Sequence, residues 1–325
     1  MMQFTKNLLE KLPSFRRGYV LRAKKAVKET IMSIFIFIIL IGIAFVILSP
    51  LLAIVSNSLM SRGDIYNPLV YLIPRNPASV HYEFALHYMN YWQALRFTLG
   101  YTFGITALQI AVCSLVGYGF ARFRFPGRNI LFGMVILTIV VPTQTIIIPL
   151  YSQFRFFDLF GALGLFMEPI NLLGRVWSTV ILTTTGQGLR AGLFIFIFRQ
   201  FFRGLPKELE EAAVIDGAGP VYTYGRVMLP NAVPAIITVM LFSIVWQYND
   251  VYFAGVFMSG VRNLLPVNLS GLATAYHWGE QEMDFNLVNA VVNAGVVLTI
   301  IPIIVIYMFL QKFFMEGIER SGIVG

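Results

Sequence analysis

Three groups of residues in this 325-residue sequence have types and spacings that could do chemistry. The first lies between Arg199 and Pro234, where Glu208, Glu210, Glu211 and Asp216 crowd around Ala212, Ala213, Gly217 and Ala218. The second is Trp246-Gln247-Tyr248-Asn249-Asp250, polar and aromatic groups inside an apolar stretch. The third is Gln187 with Arg190, set among Gly186, Gly188 and Gly192. Carboxylates beside small residues suit a surface that another protein approaches closely and pairs with bases. Amides, a carboxylate and aromatic faces together suit a sugar. An unpaired charge in hydrocarbon is expensive, so Asp250 must face a bundle interior, a pathway or an interface. Polar packing between helices is the plainer use of the same residues. Arg190 would meet an anionic solute such as a uronate or glycerol phosphate, pair with Asp250, or reach an interface.

Other chemistry is not written in the sequence. His81, His87 and His277 are scattered without ligand spacing, and Cys113 is the single cysteine, so neither a metal site nor a disulfide is expected. No G-x-x-x-x-G-K-[ST] run occurs, so this chain is expected to bind no nucleotide and no cofactor. No nucleophile-base or metal cluster marks an intramembrane enzyme, and no catalytic residue is assigned.

The elements that must position these groups are membrane helices. Hydrophobic residues make up 57% and charged residues 12%, against about 25% charged in a soluble domain. This excludes an ordinary soluble enzyme, a disordered chain and a disulfide scaffold. A crossing helix needs roughly 20 apolar residues. The runs that qualify are 31–56 (with Pro50 inside), 98–119, 130–151 (with Pro142 and Pro149), 232–257 and 287–310. A sixth, 177–198, is disturbed in its middle by the polar patch from Thr183 to Arg190. The stretch 156–174 carries Asp158, Glu168, Pro169 and three glycines, and reads as interfacial or re-entrant.

With the N-terminus inside, 17 of the 24 Lys and Arg fall on inner segments and six on outer ones. That bias predicts an all-α membrane protein with six transmembrane helices, N-in and C-in. Residues 1–30 form a basic cytoplasmic segment, too long for a signal peptide's charged region, and residues 31–325 a transmembrane domain. The net charge of +8 flanks apolar segments, which suits anionic lipid headgroups rather than nucleic acid. The outer loop 60–96 is rich in tyrosine, as an aromatic belt or a resting surface for an external partner.

The inner loop 203–231 reads as two short helices. Lys207 to Ile215 form the first, with Glu208 in its first turn. Leu209, Ala212 and Ala213 share a face, while Glu210, Glu211 and Asp216 mark the polar side. Gly217 permits a sharp turn. Pro220 starts a second helix over 221–229, and Pro230 and Pro234 mark the return to the membrane. Three glutamates in four residues suit a protein partner better than an anionic leaflet.

This loop resembles the EAA loop of binding-protein-dependent ABC importer permeases. The residues that carry the likeness are Glu211-Ala212-Ala213, Asp216-Gly217-Ala218, Leu229-Pro230 and Pro234. Gly117 to Arg128, Val141-Pro142, Ile148 to Tyr151, Phe198 to Phe202 and Gln311 to Phe314 are similar to the MalG-like carbohydrate-uptake family. The chain departs from that family at Arg96-Phe97-Thr98, where an asparagine is usual, and at Trp246 to Asp250, where the usual run is Trp-Asn-Asp. The resemblance implies a type I importer permease in the cytoplasmic membrane. It implies a second related permease subunit, two ATPase subunits carrying ATP and Mg, an extracytoplasmic solute-binding protein and a carbohydrate solute. Glu210, Glu211, Ala212, Ala213, Asp216, Gly217, Ala218, Leu229 and Pro230 would couple to the ATPase. Gln187, Arg190 and Trp246 to Asp250 are the substrate-pathway candidates. The alternative is a stand-alone secondary transporter or channel, which paired broken helices and inverted repeats would mark.

Overall fold

The computed structural model describes residues 14–158, 168–258 and 264–322, with side chains for residues 22, 25–158, 168–258 and 264–312. Helices are the regular structure of these residues, with no strand among them beyond two isolated bridges. Helix α1 spans Ser14–Leu59. Short α2 (Arg62–Ile65) and α3 (Val80–Tyr88) lead to α4 (Tyr91–Arg122). Then come α5 (Arg128–Val140), α6 (Thr143–Arg155), α7 (Trp177–Thr184) and α8 (Ala191–Gly204). Helix α9 is Glu208–Ile215, and α10 runs over Pro220–Asn231 with a π segment at Thr223–Met228. Helices α11 (Val233–Tyr248), α12 (Tyr252–Phe257), α13 (Leu265–Glu280) and α14 (Phe285–Gly322) complete the described chain.

Three helices are each long and apolar enough to cross a membrane: α1 from Lys25, α4, and α14 as far as Lys312. Counting two bent pairs as one span each raises this to five. The expected third span is not one straight helix. Helices α5 and α6 meet at 103°, and 13 residues reach only about 20 Å. The cause is Pro142, whose ring excludes the preceding residue from helical geometry; Val141 is extended at φ −67°, ψ 121°. The expected fifth span is not one helix either. Its helix stops at Tyr248, and Asp250 precedes a separate helix, with its Oδ1 accepting the Phe253 amide at 3.0 Å.

The disturbed span is two helices, α7 and α8, with Gly186 (φ +74°) and Arg190 (φ +59°) left-handed in the break. Most of the stretch expected to be interfacial or re-entrant lies outside the described residues. Its described flanks are side by side, because Phe157 and Ile170 exchange two backbone hydrogen bonds of 3.1 and 3.0 Å.

Two of the four apolar clusters among the described residues are the largest. Tyr118, Phe194, Phe198, Phe202, Met228 and Val239 pack where α4, α8, α10 and α11 meet. Gly117 allows this, since a Cβ there would sit 2.6 Å from that of Phe198. Tyr91, Tyr248, Leu272, Tyr276, Val291 and Ala294 form the second cluster on α4, α11, α13 and α14. Pro302 bends no hydrogen-bond debt onto α14: it lacks the N–H that Leu298 O would accept, and the Tyr91 hydroxyl donates to that oxygen instead at 3.1 Å. The apolar length of α1 lies uncovered from Ile31 to Leu48, the state of a helix whose neighbours are lipid or another chain.

Candidate functional site

The hairpin α9–α10 forms as its residues dictate. Gly217 takes φ +79°, a left-handed position. The Ala218 amide donates to Ala213 O at 2.9 Å and the Gly217 amide to Val214 O at 3.0 Å, a Schellman closure of α9. Pro220 opens α10 at its first position. The second helix runs past its expected end through Leu229 and Pro230 to Asn231, and meets α11 at 77°.

Two of the coupling candidates point inward. Ala213 is buried, so it offers no approach to another protein. Glu210 lies 3.6 Å from Arg122 Nε, with side chains 21% and 8% exposed. It is spent on the end of α4 rather than kept for a partner's base. Arg122 also donates to Leu205 O at 2.7 Å, locking the start of the loop. Glu211, Ala212, Asp216 and Gly217 remain on the surface, Ala218 and Leu229 are half-buried, and Pro230 is exposed. Beside them Val214, Ile215, Val221 and Tyr222 stand 61–85% exposed. That apolar cap was not singled out in the sequence, although Val and Ile at the end of an acidic helix were a visible signal.

The π segment turns Tyr224 into the bundle, where its hydroxyl lies 2.7 Å from Ser114 Oγ and its ring 5.2 Å from that of Tyr118. Extra-residue turns of this kind recur at functional positions. The hairpin is thus joined to α4 through both Arg122 and Ser114.

The pathway candidates divide. Gln247 and Tyr248 are interior: Gln247 is 3% exposed and Tyr248 wholly buried. The Tyr248 hydroxyl donates to Thr299 O at 2.8 Å, beside the Pro302 irregularity. Asn249 donates back to Val245 O on its own helix at 2.8 Å. Arg190 does not pair with Asp250; its guanidinium lies 5.5 Å over the Trp246 ring, which stacks on Phe194 and Phe242. Gln187 is exposed and lines a cavity of about 370 Å³ with Gln153, Phe154, Phe157, Asp158 and Thr185.

A polar cluster missed by the sequence reading ties these pieces together. Gln109, wholly buried on α4, donates from Nε2 to Leu189 O at 2.6 Å. Its Oε1 accepts from Ser243 Oγ at 2.8 Å and from Gln247 Nε2 at 3.4 Å, while Thr106 and Ser243 hydroxyls lie 2.9 Å apart. The amide therefore clamps the α7–α8 break to α4 and α11. A lone glutamine in the run 98–119, three residues after a threonine, was the available signal.

Helices with uncovered apolar lengths, bent pairs and an exposed hairpin wired to the bundle define a polytopic membrane protein. Comparison with known proteins gives the family. Residues 113–320 match the model of the binding-protein-dependent transport system inner membrane component, and the chain belongs to that family. It is similar to the osmoprotective compounds uptake permease protein GgtD of Synechocystis, 30% identical over 296 residues, covering 89% of this chain and 91% of that one. An arabinooligosaccharides transport system permease protein, AraQ of Halalkalibacterium halodurans, is 27% identical over 87% of this chain and 93% of its own. In structure the chain is similar to a subunit of a bacterial ABC transporter involved in the import of the acidic polysaccharide alginate. The TM-score is 0.70 with 22% identity, over 88% of this chain and 98% of that one. The protein is accordingly a multi-pass ABC importer permease of the cytoplasmic membrane, a transport component rather than an enzyme.

Proposed function

We propose that this chain forms half of the translocation pathway of an ATP-driven carbohydrate importer. It crosses the membrane six times, N-in and C-in, with residues 1–30 as a basic cytoplasmic segment and 31–325 as the permease domain. A second related permease supplies the other half. Two ATPase subunits, which hold ATP and Mg and carry out the hydrolysis, dock on the loop 203–231, and an extracytoplasmic binding protein delivers the solute.

The observation that carries this reading is the hairpin: an apolar cap with Glu211 and Asp216 beside it, held to the bundle by Arg122–Glu210 and Tyr224–Ser114. Burying Val214, Ile215 and Val221 in a cleft returns about 1.5–3 kcal/mol each before the costs of association. A displacement of α10 passes across the 77° bend into α11, which carries Ser243, Trp246 and Gln247. Those residues hold the α7–α8 break through Gln109 and Arg190. ATP-driven closure of the ATPases would thereby reach the solute side. The names of the relatives, for osmoprotective compounds and arabino-oligosaccharides, support a carbohydrate-like solute. An anionic solute is less well supported, since the Arg190 guanidinium is directed over Trp246. Gln187, Gln153 and the phenylalanine faces around them suit a sugar.

The test is co-expression with the partner subunits. The complex should purify with one further permease and two ATPase copies, and solute-loaded binding protein should stimulate its ATPase activity. Glu211→Lys should abolish that stimulation while the membrane subunits stay assembled; unchanged stimulation would overturn the assignment.

A further inference from the structure

At the hairpin end a cavity of about 740 Å³ is lined by Arg122, Arg124, Arg128, Arg199, Arg203 and Lys207. Only two carboxylates, Glu210 and Glu211, share the wall, and Glu210 is already paired with Arg122. Several of these cations are held in place by the fold. The Arg199 guanidinium lies 3.7 Å over the Phe132 ring, and its Nε is buried with no hydrogen-bond partner. Arg128 donates from Nη1 to Phe123 O at 3.1 Å. Like charges gathered around one cavity repel unless an anion joins them. Fixed planar guanidinium groups match the oxygens of a phosphate.

The surroundings indicate where the phosphate comes from. The cavity opens at the foot of α5, a helix with no buried residue. Ile130, Met134 and Leu137 lie at i, i+4 and i+7, 57–68% exposed, and make an apolar stripe rising from the cationic pocket. A phosphate with acyl chains fits both features at once. An acidic protein segment fits the first alone.

We propose that this cavity binds the phosphate of an anionic phospholipid of the inner leaflet, with its chains along α5. The assignment to the inner leaflet rests on the orientation given above. A headgroup there sits at the root of the hairpin, against Lys207 and Arg203, and ties the lever to the leaflet.

The experiment uses the assembled importer with its partner subunits. It is purified in mild detergent, and the retained phospholipid is identified by native mass spectrometry. The full complex should retain phosphatidylglycerol. Arg124→Gln with Arg203→Gln should weaken retention by about 30-fold, at roughly fivefold for each surface charge. Arg75→Gln with Arg96→Gln removes equal charge from exposed positions of the outer loop on the same chain and should leave retention unchanged. Equal retention in all three forms, or equal loss in both double variants, overturns the site. So does thermal stabilisation in phosphatidylcholine vesicles by inorganic phosphate to the same extent as by phosphatidylglycerol, which would mark a soluble-anion site. Loss of the ATPase subunits from the Arg124→Gln, Arg203→Gln form with lipid still retained also overturns it, by assigning the cavity to a protein surface. Orientation is read separately. The native Cys113 is buried, so an impermeant thiol reagent reports on Arg124→Cys; labelling only from outside overturns the inner-leaflet assignment even where lipid is retained.

Discussion

The hairpin at Glu208–Asn231 precedes helix α11 and the stretch Trp246–Asp250 ends it, and both look functional in the sequence. The hairpin leaves Val214, Ile215, Val221 and Glu211 on the surface, buries Ala213, and turns Glu210 and Tyr224 inward as its mountings. The other stretch does the reverse. Its Gln247 and Tyr248 go to the interior, Asp250 holds the start of α12, and Trp246 alone forms a contact with another candidate, Arg190. A polar group outside the apolar phase is free to meet a partner. A polar group within it must first be satisfied by the protein itself.

The comparison can be broken most forcefully at Gln109. Gln109→Leu strips partners from Leu189 O, Ser243 and Gln247, and should cost roughly 3 kcal/mol or more at about 1–3 kcal/mol for each unsatisfied buried group. The measure is the melting temperature of the purified complex, together with loss of transport. Gly217→Val forces a branched side chain into φ +79° and should cost about 1–3 kcal/mol. That strain is confined to the hairpin, so stimulated ATPase activity should fall while the bundle melts as before.

Two glutamates one residue apart sharpen the contrast. Glu210→Gln should lower stability by about 1–3 kcal/mol, between the values for exposed and buried pairs. Glu211→Gln should stay within about 0.5 kcal/mol in the same melts yet weaken ATPase docking, read by pull-down. Tyr248→Phe removes one hydroxyl bond and should cost about 1 kcal/mol. The solute concentration for half-maximal transport should not move, as expected of a packing residue.

The smallest effect lies at the far end. Asp284 accepts from the Tyr66 hydroxyl and from the Asn286 amide, and these bonds hold its carboxyl below the ordinary carboxylate range. The same contact raises the Tyr66 phenol. A lowered folded value means that the tie is fully present above the unfolded value of about 3.9 and is lost as pH falls through the still lower folded value. Amide exchange at Asn286 should therefore quicken only in acid below about pH 4, and Tyr66→Phe should shift that step upward.

Much of this was legible beforehand. Gly217 and Pro220 announce the hairpin because left-handed backbone and a missing amide are local requirements. Pro142 was visible, but the 103° angle was not, because a proline marks a break without stating how far neighbours let it open. Gln109 was hidden for a different reason. One amide in an apolar helix says only that partners are needed, and Leu189 and Ser243 lie 80 and 134 residues away.

Apolar run length, the sites of proline and glycine, and the Lys/Arg bias are properties of short stretches, so the sequence alone determines a helical membrane protein with an acidic hairpin and predicts which way it faces. Which polar groups reach the surface and which are consumed inside was decided by tertiary structure. Glu210 and Glu211 have the same chemistry, and only the position of Arg122, at the end of a distant helix, distinguishes the mounting from the free contact.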